Sequence, residues 1–122
     1  MISKSDLDEV IGCELVGIKI NPASVSMSFN RSGREGGWIL VQCRFTLRDS
    51  DGDAGGSAIV PESAAPLLRC LEKVIVDANF DGSKVLTLFL DGGMFVRLLP
   101  EKDGFESYVL HTRRGIVPVI DF

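Results

Sequence analysis

Leu7, Ile11, Leu15, Val16, Ile20, Val25 and Phe29 recur as Leu67, Leu71, Ile75, Val76, Phe80, Val85 and Phe89, at a constant offset of sixty residues. Turn chemistry recurs with them: Asn21-Pro22-Ala23-Ser24 faces Asp81-Gly82-Ser83-Lys84, and Ser32-Gly33 faces Gly92-Gly93. Self-similarity at a fixed period constrains a fold strongly, because each copy must find the same kind of cover for its apolar face. A chain of 122 residues, 45% hydrophobic and 25% charged, has room for two such copies around one core, so a single domain is expected over 1–122.

Within the first copy, Ser3 to Gly12 reads as a short helix, with a serine to cap it, acids in the first turn and a glycine to end it. Strands are expected at about 14–20, 24–30 and 38–47. In the second of these Val25, Met27 and Phe29 alternate with Ser24, Ser26 and Ser28, one face apolar and one wet. A polar connection over 48–60 follows, then a helix at about 63–73 with Pro66 in its first turn, where the missing N–H has no partner to lose. Strands at about 74–80, 84–90, 94–99 and 105–111, with a short one at 117–120, complete the second copy.

No alternation of strand and helix suggests a parallel sheet. The expected fold is therefore α+β, with repeated units at about 1–47 and 61–111. Each unit is a short helix followed by an antiparallel meander of three to four strands, the sheets packed or forming a partly closed barrel. Leu86, Leu88 and Leu90 replace the outward Ser26, Ser28 and Asn30 of the first copy, with Val85 and Phe89 expected to point inward. A strand apolar on both faces calls for a cover: a helix, the other sheet or a second chain.

Composition narrows the chemistry by exclusion. No apolar run approaches the roughly 20 residues that span a bilayer, and Met1 to Asp6 lacks the features of a secretory signal, so a cytoplasmic protein off the membrane is expected. Cys13, Cys43 and Cys70 are odd in number, scattered and set in apolar patterns, which suits buried free thiols. A net charge of −4 disfavours nucleic acid and suits a basic partner.

Asp49-Ser50-Asp51-Gly52-Asp53 has carboxylates at every second position, as calcium loops do. Ala54 stands where the sharp turn needs glycine and Val60 where a bidentate glutamate belongs, so a solvated acidic connection is expected and no metal site. Glu101, Asp103 and Glu106 form a second acidic group. His111, the one histidine, is read as a strand-end residue without an orienting acid or nucleophile, and no catalytic motif occurs, so neither catalysis nor a cofactor is expected. Gly36-Gly37 and Gly55-Gly56 lack the Lys and Ser/Thr of a phosphate loop and are read as turns and linkers. Trp38 points with Leu40 and Gln42, and packing under a helix is the expected arrangement, with an exposed anchor as the alternative.

Leu88-Phe89-Leu90-Asp91-Gly92-Gly93-Met94-Phe95-Val96, then Phe105-Glu106-Ser107-Tyr108, after the strand start Leu15-Val16-Gly17-Ile18, form a pattern that resembles a family of small bacterial proteins. That family includes immunity proteins of contact-dependent growth inhibition and other polymorphic toxin systems. The resemblance implies a stoichiometric inhibitor, monomeric in a heterodimeric complex, that binds the C-terminal domain of a cognate toxin, often a nuclease. On this reading Asp49, Asp51, Asp53, Glu101, Asp103, Glu106 and Trp38 are the candidate contact residues. The alternatives are a small cation- or ligand-binding module and a self-associating structural domain.

Overall fold

The computed structural model describes residues 1–122 as ten strands in two five-stranded antiparallel sheets, with one short α-helix. The strands are β1 (Glu14–Asn21), β2 (Ser24–Arg31), β3 (Arg34–Val41), β4 (Arg44–Asp49), β5 (Gly52–Ser57), β6 (Ile75–Phe80), β7 (Leu86–Leu90), β8 (Phe95–Leu99), β9 (Glu106–Thr112) and β10 (Gly115–Ile120). The first sheet runs β1-β2-β3-β9-β10 and the second β5-β4-β8-β7-β6. Inner side chains of both sheets join in one apolar cluster of 26 buried residues, including Met27, Phe29 and Ile39 from the first sheet and Phe45, Leu88 and Val96 from the second. Each buried side chain of this size contributes about 1.5–3 kcal/mol relative to exposure.

This overturns the expected α+β fold of two helix-and-meander units, and the barrel with it. Each half of the chain gives a three-stranded meander to one sheet and a hairpin to the other: β4-β5 joins β8 in the second sheet, and β9-β10 joins β3 in the first. The halves are therefore interleaved. The stretch 38–47, expected as one strand, is two: the chain leaves the first sheet after Val41 and enters the second at Arg44. Ile39, Val41, Cys43, Phe45 and Leu47 are all buried, so the alternation runs through the crossing without a break. The connection expected at 48–60 contains β5, which pairs with β4 from Arg44↔Ser57 to Asp49↔Gly52.

The helix α1 (Lys4–Val10) is closed at its N-terminus by a reciprocal box, in which the Asp6 N–H donates to Ser3 Oγ and the Ser3 N–H donates to the Asp6 carboxylate. In the second half the expected helix is reduced to 3₁₀ turns at Pro61–Ser63 and Ala65–Cys70. Pro61 and Pro66 each start a turn, as their fixed φ allows, and each interrupts any longer helix.

The repeat also slips by one residue. Ile20 pairs with Val25 across four intervening residues, whereas Phe80 pairs with Leu86 across five. One extra loop residue turns a strand over, because side chains alternate with period two. Leu86, Leu88 and Leu90 thus face the core where Val25, Met27 and Phe29 face it in the other sheet. Phe89, expected inward, lies on the outer face at 37% exposure, and Val85 is in the loop. The core itself covers the leucines. Tyr108 steadies the longer loop: its buried hydroxyl donates to the Lys84 carbonyl at 2.7 Å.

Cys13, Cys43 and Cys70 are buried and unpaired. Burial pushes the Cys43 and Cys70 thiols up to about 12 and raises Cys13 as well, so all three are held as unreactive thiols. No helix is long and apolar enough to cross a membrane.

Candidate partner-binding face

β3 is the middle strand of the first sheet, and its outward residues meet those of β2 and β9 in cross-strand rows. Trp38 lies opposite Ser28 on one side and His111 on the other, and His111 lies opposite Ile116. The next row places Leu40 against Ser26 and Val109, with Pro118 beyond. Trp38 is 39% exposed and its ring stacks on the His111 imidazole, with centroids 4.3 Å apart and planes 17° from parallel. On its other flank Ser28 is small, and the next residue in the row is Gly17. The result is an aromatic pair standing on a sheet surface with one side bordered only by small residues. Trp38 is therefore exposed, and the expected packing under a helix is not found.

The backbone beneath this pair is specialised. Gly36-Gly37, expected as a turn, lies inside β3 at a bulge, where Phe29 pairs with Gly37 and Asn30 with Glu35. Gly37 has φ +137°, and a Cβ there would overlap the His111 carbonyl oxygen, so glycine is what allows β3 and β9 to meet at this point. Gly55-Gly56 likewise lies inside β5, where a Cβ on Gly56 would overlap the Ser63 carbonyl.

A groove continues from the aromatic pair over the end of the sheet. One part, of about 340 Å³, runs along Gly37, Trp38, His111 and Ile116; the other, of about 410 Å³, runs along Glu9, Arg31, Ser32 and Arg34. Glu35, Gly36 and Arg113 line both. Arg31 is committed structurally, its guanidinium donating to the Asp8, Glu9 and Ile11 carbonyls at the C-terminal end of α1. Asp6 holds the β9–β10 turn to the same helix through Arg114 at 3.2 Å. The hydrogen bond from the Ser3 backbone, with further help from Arg114, keeps the Asp6 carboxyl below the usual range despite burial.

The acidic candidates are placed elsewhere and apart from one another. Asp49, Asp51 and Asp53 form the β4–β5 turn, while Glu101 and Asp103 follow β8 at the other end of the same sheet, and Glu106 opens β9. Glu101 pairs with Arg44, five residues along β4 from Asp49, or about 17 Å at ~3.3 Å per residue. Three of the six carboxylates are already in ion pairs: Asp49 with Arg69, Asp53 with Arg48 and Glu101 with Arg44. Asp51 and Asp49 are engaged in a local turn, the Asp51 N–H donating to Asp49 Oδ1 at 2.9 Å. No three His, Cys, Asp or Glu side chains are arranged to hold a metal ion.

Sequence reasoning reached Trp38 and treated His111 as a strand end, missing that β9 brings the two rings together. It also passed over Arg34 and Arg113. The Asp91-Gly92 pair of the hairpin motif turns out to be architectural, since the Val74 N–H donates to Asp91 Oδ1 at 2.9 Å and ties β6 to the β7–β8 turn. Comparison of the chain with protein-family models, curated proteins and solved structures gives no match.

Proposed function

We propose that this protein is an inhibitory binding protein, an immunity protein that neutralises a cognate bacterial toxin domain, a nuclease, by forming a stoichiometric complex. The observation that carries the binding reading is the exposed Trp38–His111 stack on the open outer face of the first sheet. Tryptophan and arginine are the residues in which binding energy concentrates at protein interfaces, and this face has both at one end. The toxin assignment rests on the hairpin and strand resemblance given above. On this reading the protein acts in the cytoplasm as a monomer until it meets its partner, carries no cofactor and performs no catalysis.

The test uses the toxin C-terminal domain encoded by the adjacent upstream gene. A stable equimolar complex on size-exclusion chromatography, together with rescue of growth on co-expression, is the expected result. Trp38→Ala should keep the wild-type melting profile and weaken the complex by about 2 kcal/mol or more, roughly thirtyfold in Kd. Absence of any complex with the wild-type protein would sink the toxin reading.

A further inference from the structure

Overall charge and local charge disagree at the groove. The chain is acidic, with a net charge of −4, yet the groove beside Trp38 is lined by Arg31, Arg34 and Arg113 against Glu9 and Glu35. Five ion pairs occur in the molecule, and none of them involves Arg34 or Arg113. Arg31 and Arg34 also stand directly opposite one another across the β2–β3 turn. Like charges in that position oppose folding; Arg31 is held by the carbonyls at the end of α1, and Arg34 forms no ion pair. The two-residue turn between them, Ser32-Gly33, has positive φ at both positions, 51° and 76°, which holds the opposed strand ends close together.

We infer that the groove binds an acidic peptide segment of the protein partner, with a carboxylate held by Arg34 and Arg113 and a neighbouring apolar side chain laid against Trp38. Guanidinium groups suit this task because their planar forks donate two parallel hydrogen bonds to a carboxylate. The aromatic pair supplies the desolvated anchor beside them, and the unpaired arginines supply attraction and register. Glu9 and Glu35 select a peptide over a nucleic acid: they repel a continuous phosphate backbone but accept hydrogen bonds from peptide N–H groups on either side of a single carboxylate. The inference rests on the proposed binding role of this face but reverses the charge expected of the partner, which composition alone made basic.

Trp38 is the one tryptophan in the chain, so its fluorescence reports the groove directly. Titration at low ionic strength with a synthetic peptide of alternating glutamate and leucine should change the emission saturably. The change should be lost in 0.5 M salt and in the double variant R34E/R113E, and an alternating lysine–leucine peptide should give none. Both arginines lie on turn-proximal surface, and the thermal melt of R34E/R113E and of the milder R34Q/R113Q should match the wild type. No response to the acidic peptide, an equal response in a folded double variant, or a stronger response to the basic peptide, inorganic phosphate or single-stranded DNA overturns the inference.

A second arm uses the toxin domain itself: R34E/R113E should raise Kd at least about a hundredfold, while D51K/D103K/E106K should leave it within about twofold. The reverse ranking also overturns the inference. If Trp38→Ala weakens the toxin complex and R34E/R113E does not, the face is the interface and the acidic segment is wrong. If the acidic peptide binds and the toxin domain does not, the groove chemistry stands and the toxin reading falls.

Discussion

The outer faces of the two sheets each present an aromatic residue among cations, and they use it differently. On the second sheet Phe95 is covered by its own chain: Arg97 lies over the ring at 4.6 Å and Arg48 at 5.8 Å, and Arg48 is clamped by Asp53. On the first sheet Trp38 stacks on a single neighbour, looks across small residues on the other side, and shares its groove with Arg113, which forms no ion pair although Glu35 lines the same groove. The same residue classes are internally satisfied in one place and left open in the other. Openness, rather than composition, is the ground on which the first sheet is proposed as the binding face.

The largest effect should come from breaking the first sheet at its seam. Gly37→Val places a branched side chain at φ +137° against the His111 carbonyl, forcing β3 and β9 apart, whereas the β4–β8 seam has no glycine at its paired positions. Chemical denaturation should show a loss of about 3 kcal/mol or an unfolded product. A comparably conservative change across the other seam, Thr46→Val, should cost less than about 1 kcal/mol.

Next in size is the binding contrast. Trp38→Ala should weaken partner affinity by about 2 kcal/mol or more, and Phe95→Ala by less than about 0.5 kcal/mol, as read by isothermal titration calorimetry. Equal losses would erase the distinction between the faces.

A smaller effect should appear at low pH. The Asp6 carboxyl titrates below its unfolded value, so its contribution is present above about pH 4 and is lost as pH falls through the lowered folded value. Ser3→Ala removes the main hydroxyl cap and should cost about 1 kcal/mol at neutral pH, with a flatter acid limb in melts between pH 5 and pH 2.5. Because Asp6 holds the β9–β10 turn through Arg114, groove binding should weaken with it, while the second sheet's outer face should be unaffected.

The smallest effect tests the closed face. Arg48 and Asp53 form an exposed surface pair, so Arg48→Gln should leave the melting temperature unchanged within error. A clear drop would show that the second sheet depends on its surface cluster.

Strand content was legible because period-two alternation survives in nearly every strand: Val25, Met27 and Phe29 are buried as that pattern requires. The helix at Lys4–Val10 was legible from its cap. Partnership between strands was not. Ile39 to Leu47 alternates identically whether the chain stays in one sheet or crosses to another, since both sheets face the same core. The facing of β7 was misread because the sixty-residue match places Val85 over Val25, and only the pairing of Phe80 with Leu86 reveals the extra loop residue. Gly36-Gly37 has the composition of a turn, and only the approach of the β9 backbone shows why glycine is needed inside a strand.

By itself the sequence determined antiparallel strands with an internal sixty-residue echo, a short capped helix, buried thiols and one tryptophan on a strand, while its α+β reading was wrong. These are properties of local periodicity and turn chemistry, which act over a few residues. Tertiary structure alone decided that the halves interleave, that the acidic loops lie at opposite ends of one sheet, and that Trp38, His111 and the unpaired arginines share a groove. Those facts depend on which strands pair, and pairing is settled by burying both inner faces in one core, a free energy that belongs to the whole chain and to no segment of it.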